Sequence, residues 1–329
     1  MAVTSRGYIA TAALLGVLVP AGNALAQTGS YPAKTIRLIV PFAPGGPNDL
    51  LGRMVGQKLT EQWGQPVVVE NRGGAGGTVG LDAAAKSAGD GYTLAMGGSS
   101  NMAVAPSLYK KLPYDSIRDF SPIINVAHVP YAVGINPTVP AKNVKELIAI
   151  ARRKAGYLSY ASSGTGSMSS LAAELFKSLA GADVVHIPYK GTAPALTEVV
   201  GGQVDMMFAD LALIQPLAKA GKLRVIAVTG TRRAPVARDV PTISESGLRG
   251  YEIEPWFGVV APAGVPRDIV SRLNAAIASG LKSSDVIQRL DALGYEPIGG
   301  TAEQFAATIK SDIAKYARII SQAGIKAGL

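Results

Sequence analysis

The strongest constraint on the fold is a regular alternation of two kinds of segment. Short apolar runs, such as IRLIV at residues 36–40 and LRVIAV at residues 223–228, alternate with stretches of helical periodicity, such as residues 50–63 and 169–179. Most of the runs are apolar at consecutive positions, which is typical of strands that helices cover on both faces. The alternation therefore predicts an α/β fold with open, doubly wound sheets.

Two proline-bracketed passages, residues 119–137 and 247–266, carry apolar runs with few helix signals. We expect the chain to cross between two domains at these passages, so that the middle segment forms one domain and both ends form the other. The predicted boundaries are residues 27–127 plus 251–329 for domain I and residues 128–250 for domain II.

The N-terminal segment has the layout of a secretory signal peptide. Arg6 is the only charged residue among the first thirty, an apolar segment covers residues 8–19, and Ala24-Leu25-Ala26 forms a small-residue cleavage site. The pattern predicts a signal peptide of residues 1–26, cleaved near Ala26, and hence an exported protein. No later segment is long and apolar enough to cross a bilayer.

Composition narrows the class of partner. The chain has no cysteine and a formal net charge of +9. Its Lys and Arg residues are scattered and are not interleaved with aromatic side chains, so we expect no nucleic acid as a partner. The positive charge fits the attraction of a small acidic solute.

The sequence offers few groups for catalysis. It contains two histidines, His128 and His186, and neither stands in a metal-ligand spacing. The nucleophile elbow G-x-S-x-G is also absent. We therefore predict no catalytic residue, no metal and no cofactor. An exported enzyme acting on a small acidic metabolite stays an alternative, as does a binding module that serves a signalling partner.

Two segments combine a strand end, glycines and a helix start. VPFAPGGPND spans residues 40–49, and SSGTGS at residues 162–167 repeats the plan with hydroxyl side chains. The free N–H groups of a helix N-terminus bind carboxylate or phosphate. No lysine follows the glycines, so the nucleotide-binding P-loop is absent. Both segments therefore predict an anion site, and an ordinary capped turn between strand and helix is the alternative for each.

Other strand ends also carry small polar residues. Ser99, Ser100, Asn101 and Asp210 follow apolar runs, and ligands of doubly wound sheets lie at the carboxyl ends of strands. The glycine-rich residues 71–80 lack the third glycine of a dinucleotide site. They predict a flexible loop that opens the next helix and whose backbone lies at the rim of the cleft.

These segments together resemble one known family, the periplasmic solute-binding receptors of tripartite tricarboxylate transporters, often called Bug receptors. The resemblance rests on residues 36–46 with Asp49, on Val69-Glu70-Asn71-Arg72, and on residues 162–167, 187–191 and 256–258. It covers essentially the whole chain after the N-terminal segment. It implies a type II periplasmic binding protein, or Venus flytrap, whose two domains close over a small carboxylate ligand.

The resemblance also implies a binding site and partners. One ligand carboxylate would lie against residues 42–49 and 162–167, and membrane transporter subunits would receive the ligand. We expect a monomer in the periplasm; the identity of the acid stays open. Ser170 stands where many members have a histidine. Many members have an aspartate directly after the strand that ends at Phe208, and in this chain Asp210 lies one position beyond that place. The candidate ligand-binding residues are Phe42, Pro44, Gly45, Gly46, Asp49, Ser99, Ser100, Asn101, Ser162, Ser163, Gly164, Thr165, Gly166, Ser167, Ser170 and Asp210.

Overall fold

The computed structural model describes residues 1–4, 31–153, 155–322 and 324–325. Apart from Met1–Thr4, the predicted signal peptide lies outside these residues, so it stays a prediction. From Tyr31 onward the described chain forms two β-sheets flanked by helices. Within the described part of the chain, no helix combines the length and the apolar character needed to cross a membrane.

The first sheet has six strands. They are β1 (Ile36–Val40), β2 (Val67–Asn71), β3 (Thr93–Gly98), β4 (Phe120–His128), β10 (Trp256–Pro262) and β11 (Glu296–Gly299). Their spatial order is β11-β4-β10-β3-β1-β2. β1 runs parallel to β2 and β3, whereas β10 runs antiparallel to β3 and β4.

The second sheet has five strands in the order β7-β6-β8-β5-β9. They are β5 (Tyr131–Ile135), β6 (Ser159–Ser162), β7 (Val185–Pro188), β8 (Met206–Asp210) and β9 (Arg224–Val228). β6 runs parallel to β7 and β8, and β5 runs antiparallel to β8 and β9. The predicted α/β fold with two sheets is confirmed. Both sheets are mixed, because the strands next to the chain crossings run antiparallel to their neighbours.

Helices connect most of the strands. They are α1 (Pro47–Trp63), α2 (Thr78–Ala85), α3 (Ala105–Leu108), α4 (Val144–Arg153), α5 (Met168–Ala180), α6 (Thr192–Val200), α7 (Leu211–Lys219), α8 (Arg267–Leu281), α9 (Ser284–Leu293) and α10 (Ala302–Gln322). Two 3₁₀ turns cover Ala75–Gly77 and Pro235–Ala237, and a π-helical segment covers Ser99–Val104.

The chain passes between the sheets twice. β4 ends at His128 in the first sheet and β5 begins at Tyr131 in the second, while β9 ends at Val228 and β10 returns to the first sheet at Trp256. The predicted crossing passages overlap both links. The domain boundaries at residues 127/128 and 250/251 stay a prediction.

Local chemistry explains how α1 is placed. Pro47 occupies the first helical turn, where its missing N–H costs no hydrogen bond. The helix buries Leu51, Val55 and Leu59 against the first sheet. It ends where Gly64 adopts the left-handed conformation and donates to the carbonyl of Thr60 at 2.8 Å. The start of α1 is thereby held at the carboxyl end of β1.

Candidate functional site

A small cavity lies where the loop after β1 meets the loops after β6 and β7. The space open to the centre of a water molecule is about 20 Å³, enough for about one or two water molecules. Loop residues from both sheets form its wall. The residues that line it are Phe42, Gly46, Pro47, Asn48, Ser99, Ser100, Tyr131, Ser163, Met168, Thr192 and Phe257.

Three helices begin at this cavity. Asn48 lies in the first turn of α1, and Met168 and Thr192 are the first residues of α5 and α6. Their backbone N–H groups form no hydrogen bond with another described residue. Each helix N-terminus carries roughly half a positive charge, so the cavity suits an anion although none of the described residues that line it is charged.

Neutral side chains in the cavity wall also have free hydrogen-bonding capacity. Asn48 is 4 % exposed, and its buried Oδ1 atom has no partner among the described residues. The buried Oγ atom of Ser99, which also lines the cavity, likewise has no partner among the described residues. Burial raises the pKa of Tyr131 and the nearby Asp210 carboxyl raises it further, so this phenol stays protonated.

Asp49 fixes the shape of the first loop and does not line the cavity. Its Oδ2 atom accepts hydrogen bonds of 3.0 Å from the backbone N–H of Gly45 and from Arg53. Its Oδ1 atom accepts one of 3.0 Å from Asn71, whose amide also donates to the carbonyl of Phe42 at 3.0 Å. Burial alone would raise the pKa of Asp49, but the hydrogen bonds from Arg53, Gly45 and Asn71 outweigh it and lower the pKa.

Hydroxyl groups shape the second loop from within. Ser169 Oγ accepts a hydrogen bond of 2.9 Å from the N–H of Ser163, and Ser162 Oγ accepts one of 3.2 Å from the N–H of Gly164. Ser167 caps α5, since its Oγ accepts from the N–H of Ser170 at 3.3 Å. These serines hold the backbone that reaches the cavity at Ser163 and Met168.

His186 joins this hydroxyl network from β7. Its Nε2 atom lies 2.6 Å from Ser162 Oγ, and its ring stacks on Tyr160 with centroids 4.6 Å apart. Burial lowers the pKa of His186, so the imidazole is neutral near pH 7. The side chain is half-buried and hydrogen-bonded, and it does not line the cavity.

Loops that follow strands of the two sheets touch each other beside the cavity. The Tyr109 hydroxyl donates to the carbonyl of Ala75 at 2.6 Å and to the carbonyl of Thr165 at 3.2 Å. A methyl group added to Gly76 would lie 2.7 Å from the carbonyl oxygen of Thr165. The contact therefore depends on a bare backbone at Gly76.

Asp210 lies at the end of β8 and is fully buried. One carboxyl oxygen accepts from the N–H of Ala212 at 2.9 Å, and the other accepts from the hydroxyl of Tyr295, which precedes β11 of the first sheet. Burial raises the pKa of Asp210 to about 7, against the opposing effect of the hydrogen bonds from Tyr295 and Ala212.

A comparison with models of protein families shows which family the chain belongs to. Residues 51–325 match the model described as "Tripartite tricarboxylate transporter family receptor", or TctC. The chain belongs to the TctC family. It is a solute-binding receptor of this family, as its sequence resemblance implied.

The relatives of this TctC protein support the assignment over nearly the whole chain. Protein BugT of Bordetella pertussis is 36% identical over 317 residues, which cover 95% of this chain and 97% of that protein. The periplasmic binding protein BugD has a TM-score of 0.86 and 35% identity, over 90% of this chain and 99% of that one. Family members are therefore periplasmic binding proteins.

Two similar structures contain organic acids. A protein from R. palustris solved with adipate is 36% identical with a TM-score of 0.86, over 89% of this chain and 98% of that one. MatC from Rhodopseudomonas palustris, solved with bound malate, is 33% identical with a TM-score of 0.85, over 88% of this chain and 100% of that one.

The structure separates the predicted ligand-binding residues of this TctC protein into three groups. Phe42, Gly46, Ser99, Ser100 and Ser163 line the cavity. Thr165, Gly166 and Ser170 instead line an outer groove of about 700 Å³, together with Glu174 and His186. The remaining predicted residues line neither; they are Pro44, Gly45, Asp49, Asn101, Ser162, Gly164, Ser167 and Asp210.

Sequence reasoning missed six residues in the cavity wall: Pro47, Asn48, Tyr131, Met168, Thr192 and Phe257. Three of them could have been recognised from the sequence, because Asn48 lies in the first turn of α1 and Met168 and Thr192 begin α5 and α6, each after a glycine or serine loop. Tyr131 and Phe257 lie at the starts of β5 and β10, the strands that follow the two chain crossings. Only the packing of the two sheets brings these residues to the cavity. Among the described residues, no three His, Asp or Glu side chains are grouped as a metal site requires.

Proposed function

We propose that this receptor captures a small organic acid and holds one carboxylate of it in the cavity. The observation that carries the proposal is the meeting of three helix N-termini, at Asn48, Met168 and Thr192, whose N–H groups bond to no other residue that the structure describes. The adipate and malate found in relatives are organic acids as well. The protein would bind and release its ligand without transforming it.

The small size of the cavity supports a mechanism by domain movement. With about 20 Å³ open to water centres, it holds a group the size of a carboxylate and little more. A larger acid therefore enters only if residues 27–127 plus 251–329 move away from residues 128–250. The contacts of Tyr109 and Gly76 with Thr165 would then form on closure.

The proposal extends to the partners and the location of the protein. After removal of residues 1–26, the monomer would act in the periplasm and deliver its ligand to membrane subunits of a tripartite tricarboxylate-type transporter. Uptake of the labelled acid by vesicles that contain those subunits should require this receptor. Equal uptake without the receptor would contradict delivery.

Two experiments test the binding function. Native mass spectrometry of freshly purified protein should detect a co-purified acid. A thermal-shift screen should then compare each acid with its primary amide, because a ligand at 100 times its Kd stabilises by about 2.7 kcal/mol. We expect stabilisation by an acid and none by its amide. Stabilisation by the amide alone, or by no acid at all, would overturn the proposal.

A further inference from the structure

A second pocket lies where the chain passes between the two sheets. Residues 128–130 of the first crossing and residues 253–255 of the second form its wall, together with residues that follow β9. We call it the crossing pocket. Its volume is about 170 Å³, and an apolar cavity of about 150 Å³ holds a benzene molecule. The crossing pocket therefore has room for a molecule built on one ring, and it shares no described residue with the cavity at the helix N-termini.

Much of the wall of the crossing pocket is apolar. Val129, Val228 and Ile253 are at most 1 % exposed, and Ala234 is 4 % exposed. Burial of apolar surface is favourable, so the pocket suits a ligand with an apolar body.

Two polar groups of the wall can accept further hydrogen bonds. The buried Nδ1 atom of His128 has no partner among the described residues. Glu254 Oε1 accepts hydrogen bonds of 2.9 Å from the N–H and the hydroxyl of Thr231, which leaves acceptor capacity on the carboxylate. Burial would raise the pKa of Glu254, but other effects, chiefly the hydrogen bonds from Thr231, outweigh it and lower the pKa. Lys315, which contributes a smaller lowering, is itself paired with Glu252.

The charged side chains around the pocket carry an excess of acid. Arg232 forms an ion pair with Glu296, and Arg233 forms one with Glu245 at 2.9 Å. Together with Glu254, these groups are three carboxylates and two guanidinium groups. The unbalanced negative charge favours a cation in the pocket.

We propose that the crossing pocket binds a small organic cation, a primary amine on an apolar body about the size of one ring. The apolar body lies against Val129 and Ile253. The ammonium group has three donors, and it donates to the Glu254 carboxylate and to Nδ1 of His128. Because hydrogen bonds between charged groups are the stronger ones, the site prefers the amine over a neutral molecule of the same shape.

The position of the pocket predicts a link to domain closure. His128 and Glu296 belong to the first sheet, whereas Val228 belongs to the second. A bound cation therefore contacts both sheets in the arrangement in which Tyr109 bonds to Thr165. A ligand favours the arrangement that it fits, and such coupling is reciprocal. The cation should raise the affinity for the carboxylate ligand, and this consequence alone rests on the proposed function.

Calorimetry with benzylamine and benzyl alcohol tests the site. The two molecules share the ring and the methylene group, and only the amine is a cation at neutral pH. We expect wild-type protein to bind benzylamine about tenfold tighter than benzyl alcohol. Equal affinities, or no binding of either molecule, would overturn the proposal.

Matched variants test the role of the acid. Glu254→Gln removes the charge and keeps an oxygen that can accept from Thr231, so the affinity for benzylamine should fall about tenfold. Glu252→Gln is the control, because Glu252 pairs with Lys315 and does not line the pocket. It should leave the affinity for benzylamine unchanged, and equal losses in the two variants would overturn the proposal.

A crystal soaked with 4-bromobenzylamine locates the site even if Glu254→Gln is unstable. The anomalous signal of the bromine should lie in the crossing pocket, and a signal found only elsewhere would overturn the assignment. Saturating benzylamine should then raise the affinity for the carboxylic acid about fivefold. An unchanged affinity would refute the link to closure. Failure of every acid to bind would refute the proposed function and leave the result for benzylamine standing.

Discussion

The Oδ2 atom of Asp49 accepts a hydrogen bond of 3.0 Å from the backbone N–H of Gly45, four residues earlier in the chain. Arg53, one turn further along α1, donates to the same oxygen at 3.0 Å. The carboxylate therefore ties the glycine loop to the first turns of α1. Asp49 is 3 % exposed and is not among the residues that line the cavity, so we propose that it positions the loop and does not contact the ligand.

Asp49→Asn should lower both stability and affinity. The amide keeps one acceptor oxygen but loses the charge, so the free energy of unfolding should fall by about 1–3 kcal/mol. Ligand affinity should also fall, because the loop that presents Asn48 is less well fixed. Urea denaturation and calorimetry measure the two effects. Asp285→Asn is the matched control, since Asp285 forms an exposed ion pair with Lys58. Equal effects of the two substitutions would contradict the positioning role.

Gly76→Ala should impair closure. The added methyl group would lie 2.7 Å from the carbonyl oxygen of Thr165, and the backbone φ of 64° is unfavourable for alanine. Gly64→Ala separates these two effects, because Gly64 has a φ of 67° and no atom within 4 Å of an added methyl group. Both variants should lose about 1 kcal/mol of stability. In calorimetry only Gly76→Ala should lose affinity, and equal affinities for the two variants would contradict the closure contact.

Asp210 should make stability depend on pH. Its pKa rises on folding from 3.8 to about 7, so the folded protein binds the proton more tightly than the unfolded chain. The resulting stabilisation is fully present below about pH 3.8 and is lost as the pH rises through about 7. Chemical denaturation at pH 5 and pH 8 should show the decline in the wild type and a smaller one in Asp210→Asn. Identical pH profiles would show that another group is responsible.

The sequence predicts the strand–helix alternation well, because period and length distinguish buried strands from helices. The prediction fails for segments that are too short to show a clear strand or helix pattern. β11 contains a proline within four residues, and the π-helical segment Ser99–Val104 follows a glycine-rich strand end. In these places tertiary packing determines the backbone, and a single sequence does not show it.

The candidate site could likewise be predicted from the sequence only in part. The two glycine loops could be found because a helix start after a strand end has a local signature. The orientation of side chains within those loops could not. Asp49 and Ser167 bond to their own loops, whereas Thr165 and Ser170 line the outer groove. Thr192 reaches the cavity because β7 lies parallel to β6, and only the register of the sheet places it there.

Gly46 provides the sharpest measurement of where the carboxylate binds. Its φ of −91° suits any residue, and an added methyl group would lie 3.5 Å from Thr192 Oγ1, an ordinary contact. Gly46→Ala should therefore still bind, whereas the larger side chain of Gly46→Leu should fill the cavity of about 20 Å³. Calorimetry with the acid identified by native mass spectrometry should show binding to Gly46→Ala and none to a folded Gly46→Leu protein. Normal binding by Gly46→Leu would contradict the placement of the carboxylate in this cavity.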